Sequence, residues 1–349
     1  MNATGRHQVP VPPGGMIGIL GGGQLGRMLA LAAARLGLKT HIYSPEKDAP
    51  AFQVCDAHTV GRFDDADALA RFAAGCDVVT FEFENVPADA VANMVPNAGT
   101  LRITQDRFEE KSFVTSLGLG TAPFRKVDAP VEGSGILKTR RMGYDGKGQA
   151  RVSGRREIAE ALERFRNAPS ILEGYIDFAF EASVIAVRGG DGSLAVYDPP
   201  ENAHENHILR RSTVPSRLTP AQCDEAKAIA KKIADALDYV GVLAVELFVL
   251  KDGALLVNEI APRVHNSGHW TIDACLVSQF ENHIRAVAGW KLGDPSRHSD
   301  AVMENIIGEE ARDWQRLAAR GGALHLYGKS EIRPGRKMGH VTFLSRKKS

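Results

Sequence analysis

Two glutamates set among hydrophobic residues are the first candidates for chemistry: Glu246 within Val242 to Val249, and Glu259 within Leu255 to Ala261. A carboxylate in a mostly buried strand is costly unless something pairs with it, so two such acids suggest a shared cation. Asn258 adds a neutral oxygen beside Glu259. Hard oxygen donors without a nearby cysteine favour Mg²⁺ over zinc, and Mg²⁺ keeps waters and binds substrate phosphates, so a nucleotide is implied. Two acids facing water at a sheet edge would read the same way. Cations follow the same logic. Lys138 lies in the apolar run Ile136-Leu137-Lys138, where an unpaired ammonium is expensive, and it leads into Thr139 to Gln149, rich in glycine and cations. Such a loop can fold over a polyphosphate, with Lys138 and Lys147 neutralising charge, or it can be a solvated hairpin tip. Arg107 and Lys111, four apart on one helical face, could pair with Asp106 and Glu110 or point at an anion. Donors crowd Arg263, His265, Asn266, Ser267, His269 and Trp270, which implies an anion or carbonyl to be held. Lys329 and Arg336 could bind a phosphate or solvate an edge strand.

The elements that must position these groups are legible in outline. Lys251-Asp252-Gly253 joins the two acid-bearing runs, and Asp-Gly supplies the positive φ of a tight turn, so a hairpin should bring Glu246 and Glu259 together. Met16 to Leu20 is a short strand, followed by Gly21-Gly22-Gly23-Gln24-Leu25-Gly26 and a helical pattern through Leu36. That spacing suits a dinucleotide site, a structural turn, or a loop holding part of a phosphorylated substrate. Lys39 to Tyr43 and Asp77 to Phe83 continue the β-α-β alternation and predict a parallel sheet. Its third strand would place Glu82 and Asn85 beyond the strand ends, where ligands bind in open α/β sheets.

Further along, the spacing predicts a helix from Gln105 to Leu117 and antiparallel strands around 170–176, 178–187 and 193–197. Glu173-Gly174-Tyr175-Ile176 could offer backbone groups to an adenine edge, and Glu181 could accept from ribose hydroxyls. His204 and His207 read as solvated histidines of a polar loop. Thr219 to Leu237 is an amphipathic helix with Thr219 as N-cap and Pro220 in its first turn. A helix from Thr271 to Ala288 and a small C-terminal hairpin, turning at Pro334-Gly335, complete the pattern.

At 349 residues, with 44% apolar and 24% charged residues, the chain can bury ample core in two or three packed parts. A net charge of +1 offers no field for nucleic acid or membranes, and no apolar run approaches the length of a bilayer span. Cys55, Cys76, Cys223 and Cys275 lack metal-ligand spacing and read as free thiols in a reducing cytoplasm. The first fifteen residues, with Pro10, Pro12 and Pro13, read as a flexible tail without a catalytic role.

Taken together, several motifs give a resemblance: Gly21 to Arg27, Phe81-Glu82-Phe83-Glu84-Asn85-Val86-Pro87, Gly143-Tyr144-Asp145-Gly146-Lys147-Gly148-Gln149, Asn258 to Trp270, and Arg333 to His340. In these the chain resembles the ATP-grasp ligases, and among them the 5-(carboxyamino)imidazole ribonucleotide synthetase family of purine biosynthesis. The resemblance implies an α/β and α+β protein: a Rossmann-like, biotin-carboxylase-like parallel-sheet domain over 16–104, an ATP-grasp domain over 105–295 with a lid portion near 121–176, and a small β-rich C-terminal domain over 296–349. It implies carboxylation of the amine of 5-aminoimidazole ribonucleotide through carboxyphosphate, with ATP and bicarbonate consumed and two Mg²⁺ ions bound. By the same resemblance, Arg107, Lys138, Gly143 to Gln149, Asn258 and Glu259 match ATP-phosphate positions, and Glu173 to Ile176, Glu181 and His204 the adenosine side. Glu246 and Glu259 match the metal ligands. Gln24, Leu25, Glu82, Asn85, Tyr144, Asp145, Lys329 and Arg336 match the ribonucleotide side, and Arg263, His265, Asn266 and Asp145 the catalytic positions near bicarbonate. Either His265 or Asp145 would take the amine proton. A cytoplasmic homodimer is implied too. Lys147 stands where relatives often carry arginine, and the chain stops soon after Phe343, which leaves the dimer contacts of the last part open. The competing readings are a ligase for another acceptor, a nicotinamide dehydrogenase built on Gly21 to Gly26, and a nucleotide-binding module without turnover.

Overall fold

Short apolar runs alternating with helices give the first hundred residues a four-stranded parallel sheet, in the spatial order Ala57–Val60, Lys39–Ser44, Met16–Leu20, Val78–Phe81. The computed structural model describes residues 9–89, 91–143 and 148–347. Met16–Leu20 lies between two neighbours and is nearly all buried, as a central parallel strand must be. Ala57–Val60 was not expected: at four residues, with alternating exposure and two polar side chains, this edge strand leaves no periodic signal. Val78–Phe81 is therefore the fourth strand, though Glu82 and Asn85 still follow its C-terminal end.

The described part of the expected tail, residues 9–15, is anchored at Val11, which corrects its reading as flexible along its whole length. Val11 is only 4% exposed. Its N–H donates to the Ala288 carbonyl at 2.9 Å, and its own carbonyl accepts from the Trp290 indole at 2.8 Å. Burial of one valine and two backbone groups is enough to hold a proline-rich strap against the body, because proline has already restricted the unfolded chain.

The central sheet is antiparallel and runs Leu255–Ala261, Gly241–Leu250, Phe178–Arg188, Glu201–Glu205, Ile208–Val214, Ser299–Ile307, Lys337–Arg346, Ala323–Leu326, with Leu194–Val196 added beside Phe178–Arg188. Glu201–Glu205 is thus a strand, where a polar loop was expected. It is paired on both sides, to Ala182 and to Thr213, and that pairing overrides its polar composition. The C-terminal strands continue this sheet through the pairing of Ser299–Ile307 with Ile208–Val214, so they have no separate sheet of their own. One apolar core runs from Ile19 and Leu29 beside the parallel sheet to Trp270, Phe280 and Ile284. His283 pins the two layers: its imidazole meets Thr80 Oγ1 at 2.9 Å and accepts the Val242 N–H at 3.1 Å. Burial pushes this histidine down to about 3, so it is neutral and serves as a structural clamp.

Phe124–Val127, Ser170–Glu173, Ser134–Thr139 and Gln149–Ser153 form a third, antiparallel sheet with its own small core around Leu137 and Ile158. Between it and the central sheet stands the helix Arg107–Ser116. This helix starts two residues later than expected, because Asp106 caps it by accepting from Phe108 and Glu109 N–H groups. Thr219 caps Pro220–Ala236, as its sequence implied, and the structure adds a capping box with Gln222. The single helix expected after Trp270 is two, Thr271–Ala274 and Gln279–Val287, because Ser278 accepts from the Glu281 N–H and starts the second one afresh.

Candidate functional site

Glu246 and Glu259 are direct cross-strand partners in the hairpin, so their side chains share one face. A bulge between Glu246 and Leu247 increases the local bend there. Burial and the charge of Glu259 raise Glu246 well above the usual carboxylate range. Burial alone would also raise Glu259, but the cations of Arg107 and Lys138 outweigh it and hold Glu259 low. Arg107 Nη1 donates to Glu259 Oε2 at 3.1 Å, and Nη2 donates to the Gly143 carbonyl at 3.2 Å. A third acid, Glu110, stands behind the pair. It is 3% exposed and accepts the Ile260 N–H at 2.5 Å. Its role had no sequence signal, since the strand it braces is 150 residues away.

Lys138 donates to Glu173 Oε2 at 2.8 Å, and Lys111 lies 3.6 Å from the same oxygen. Lys111 also donates to Thr121 Oγ1 at 3.0 Å and to the Asn258 carbonyl at 3.1 Å, tying the third sheet to the metal-side hairpin. Glu173 was expected on the adenosine side. Its carboxylate meets these two lysines, because two buried ammonium groups need a counter-charge, and its backbone stands opposite Phe124 and Ile136 in the third sheet. The Gly174 N–H is likewise occupied, by the Pro123 carbonyl at 2.7 Å. Tyr175 is exposed beneath the Arg151 guanidinium, 4.8 Å from its ring centre. Ile176 follows in the same linker. Glu181 and His204 do meet: His204 Nδ1 lies 2.7 Å from Glu181 Oε2. Burial alone would lower His204, yet its bond to Glu181 raises it.

Arg263 is held by Glu84 in a two-pronged ion pair, one arm at 2.9 Å. His265 accepts the Ser267 N–H at Nδ1, 3.3 Å, which places its proton on Nε2, 3.2 Å from Glu246 Oε1. Burial, with Arg263 adding to it, pushes His265 down to about 3, so a neutral imidazole stands beside Glu246. Ser267 is fixed by a buried hydroxyl chain through Ser183, Asn202 and Ser212. Asn266, expected to face bicarbonate, spends both amide hydrogens internally, on Asn305 Oδ1 and on His269 Nδ1 at 3.0 Å each, while its carbonyl accepts from Asn305. It anchors the loop that carries Arg263 and His265.

At the far end, Glu82 Oε1 accepts from Gly23 N–H at 2.7 Å and Oε2 from Gly26 N–H at 3.0 Å. An internal carboxylate thus occupies the helix N-terminus that a dinucleotide pyrophosphate would use, which removes the dehydrogenase reading. A Cβ at Gly23 would stand 2.8 Å from Glu82 Oε1, so the glycine is required by this close approach. Gln24 opens the following helix partly exposed, but the Leu25 side chain is 7% exposed within the core and can offer a ligand only backbone. Lys329 donates to the Lys337 carbonyl at 2.7 Å, and Gln53 ties the preceding Gly328 carbonyl to the parallel-sheet domain at 2.8 Å. Burial, then the neighbouring Arg336, pushes Lys329 down to about 8, against the pull of Glu82. Arg336 is partly exposed and donates to the Glu331 carbonyl. Asn85, with Arg62, Gln105 and Arg141, lines a cavity of about 500 Å³. Gly143, Gly148 and Gln149 flank the basic loop, with Thr139 N–H donating to the Gly148 carbonyl; Tyr144, Asp145, Gly146 and Lys147 lie outside the described residues.

Comparison with known proteins matches three segments of the chain. Residues 15–105 match the ribonucleotide synthetase preATP-grasp domain, 115–280 the ATP-grasp domain, and 301–349 the phosphoribosylaminoimidazole carboxylase C-terminal domain. The N5-carboxyaminoimidazole ribonucleotide synthase of Brucella melitensis is 51% identical, covering 95% of this chain and 96% of its own. A solved ADP complex of an N5-carboxyaminoimidazole ribonucleotide synthetase superposes with a TM-score of 0.91 at 42% identity, covering 96% of this chain and 94% of its own. The Aspergillus clavatus synthase, solved with ADP and 5-aminoimidazole ribonucleotide, gives 0.87 at 32% identity, covering 96% and 94%.

The Glu173 arrangement makes a stability prediction. Glu173→Gln leaves Lys138 and Lys111 buried without their shared counter-charge and should cost about 3 kcal/mol in denaturant unfolding, on the scale of a broken buried ion pair. A change below about 1 kcal/mol would mean that the lysines are neutralised elsewhere.

Proposed function

The chain belongs to the N5-carboxyaminoimidazole ribonucleotide synthase family of ATP-grasp ligases, and we propose from that premise which of its groups carry the reaction. It is an ATP-dependent ligase that carboxylates the amine of 5-aminoimidazole ribonucleotide in purine biosynthesis. The observation that carries the assignment of roles is the register of Glu246 and Glu259, opposed across the hairpin whose second strand leads into the loop of Arg263 and His265.

The donor set fits Mg²⁺. Two hard carboxylates face one another, one raised by their mutual repulsion, and a divalent cation would relieve that repulsion. Glu246 and Glu259 would hold the metal, two ions in all with ATP phosphates completing the coordination. When bound, magnesium supplies neutralisation of the phosphate charge that spreads during transfer. Arg107, Lys138 and the loop from Gly143 to Gln149 are assigned to the phosphates, with Asn258 beside them. The linker from Glu173 to Ile176 is assigned to the base through its backbone, and Glu181 with His204 to the ribose.

In the first step a bicarbonate oxygen attacks the γ-phosphorus. The new O–P bond forms as the bond to ADP breaks, giving carboxyphosphate. Arg263 and the Nε2–H of His265 are assigned to the carboxylate of bicarbonate and to the anion formed from it. The ribonucleotide amine then attacks the carboxyl carbon, an N–C bond forms and phosphate leaves. His265 is arranged as a donor, so the amine proton is assigned to Asp145. Lys329 and Arg336 are assigned to the ribonucleotide phosphate, and Gln24, Glu82, Asn85 and Tyr144 to the rest of that substrate. A cytoplasmic homodimer is part of the same proposal. Among the described residues no helix is long and apolar enough to cross a membrane.

ADP release that requires both bicarbonate and 5-aminoimidazole ribonucleotide, with Mg²⁺ present, is the expected result; ADP release indifferent to either substrate would contradict the proposal. Lys329 adds a pH signature. It is charged below about 8 and loses its proton above that value, so the KM for the ribonucleotide should climb about tenfold per unit once pH passes about 8. Lys329→Arg, which keeps its charge, should flatten that limb, and an unchanged limb would place the titrating group elsewhere.

A further inference from the structure

Behind the anion-holding loop lies a buried ring cluster that the reaction as described does not use. Tyr327 is 1% exposed, and its hydroxyl stands 3.1 Å from His269 Nδ1 and 2.9 Å from His340 Nδ1. Asn266 Nδ2 already donates to His269 Nδ1, so that nitrogen is an acceptor. Only one assignment avoids opposing lone pairs: the tyrosine O–H donates to His269, and the His340 Nδ1–H donates to the tyrosine oxygen. His269 Nε2 and His340 Nε2 are left buried without a partner among the described residues. A core optimised only for stability would not keep two unsatisfied histidine nitrogens, which points to a geometric task for the cluster. Asp273, His325 and His340 also bring one donor atom each within 4.8 Å of one another, but the two imidazoles stack at 4.5 Å and 13°. Their in-plane lone pairs therefore run parallel and do not converge on a metal.

The two sides of Tyr327 supply the task. Through His269 and Asn266 it grips the loop that carries Arg263 and His265. Two residues on stands Lys329, and the backbone between is fixed by Tyr327 N–H on the Met338 carbonyl and by Gln53 on the Gly328 carbonyl. We propose that Tyr327 is a positioning residue whose hydroxyl sets the spacing between the loop that presents the activated carboxyl group and the strand end that presents the ribonucleotide. The inference rests on the function proposed above. Carboxyphosphate has two fates: the amine displaces phosphate and gives the carbamate, or water displaces phosphate and regenerates bicarbonate. Both release one ADP, and only the first retains carbon. A loosened spacing diverts the intermediate to water, because an error of about 1 Å in approach can cost about a hundredfold in rate.

The test is the ratio of ADP formed to carbamate formed from [13C]bicarbonate, read by NMR at mildly alkaline pH, with all substrates saturating. In the unaltered protein ADP release must first require bicarbonate and ribonucleotide; failure there would sink the proposed function before any variant is made. Tyr327→Phe keeps the buried ring, whose edge meets His269 at 6.1 Å and 87°, and removes only the hydroxyl. The ratio should rise from near one to above about three, with the KM for ATP within about twofold. A ratio that stays near one, even with both rates lowered, would assign Tyr327 to stability alone and overturn the proposal. Should Tyr327→Phe not fold, a second pair decides. His269→Asn keeps an acceptor near the Nδ1 position and should stay coupled, whereas His269→Leu should uncouple; equal ratios in the two would overturn it as well.

Discussion

The pairing of Arg107 with Glu259 is the interaction on which the cleft depends. Taking a charge out of water without a partner costs several kcal/mol, and the region around this pair gathers an unusual number of charges. The structure answers most of them with an opposite: Arg107 with Glu259, Lys138 and Lys111 with Glu173, Arg140 with Asp106, Arg263 with Glu84. Glu246 has a weak partner, a neutral imidazole, and burial drives it upward, as it does Glu110 behind the pair. The cleft is thereby kept close to neutral while its walls remain charged.

Such pairing leads directly to function. Magnesium and the ATP phosphates bring the same two kinds of charge that the walls already exchange among themselves, so binding becomes a change of partners. In the proposed function Arg107 would turn from Glu259 to a phosphate when a metal is held by the carboxylate, and Lys138 would do the same from Glu173. Neither exchange requires water to enter, which suits an intermediate that water destroys. The Gly-rich turn follows the same rule at the other end. Glu82 fills the helix N-terminus that would otherwise invite an anion, and in the proposed function the phosphate of the acceptor accordingly falls to Lys329 and Arg336.

How much of this the sequence carried follows from distance along the chain. Glu246 and Glu259 were legible because a tight Asp-Gly turn joins their strands and fixes their register. The parallel sheet and the capped helix Pro220–Ala236 were legible for the same local reason. Glu84 and Glu110 gave no warning, since their partners Arg263 and Ile260 lie 179 and 150 residues away. Nothing in the composition of Glu201–Glu205 says strand; both neighbours that make it one lie outside its own segment. The strap at Val11 and the break at Ser278 were missed because each depends on one cap or one buried side chain, without any periodic signal. Asn266 was placed in the right loop and given the wrong partner: its neighbours Asn305 and His269 claim its amide before any ligand can.

Partner exchange at Glu259 is the central claim, and a crystal structure with Mn²⁺ and ADP tests it most directly, because Mn²⁺ can be located by its anomalous signal. The account predicts Mn²⁺ bound by both Glu246 and Glu259 at about 2.1 Å, with Arg107 released from Glu259 and turned to a phosphate. Mn²⁺ held elsewhere, with the 3.1 Å Arg107 to Glu259 pair intact, would contradict it.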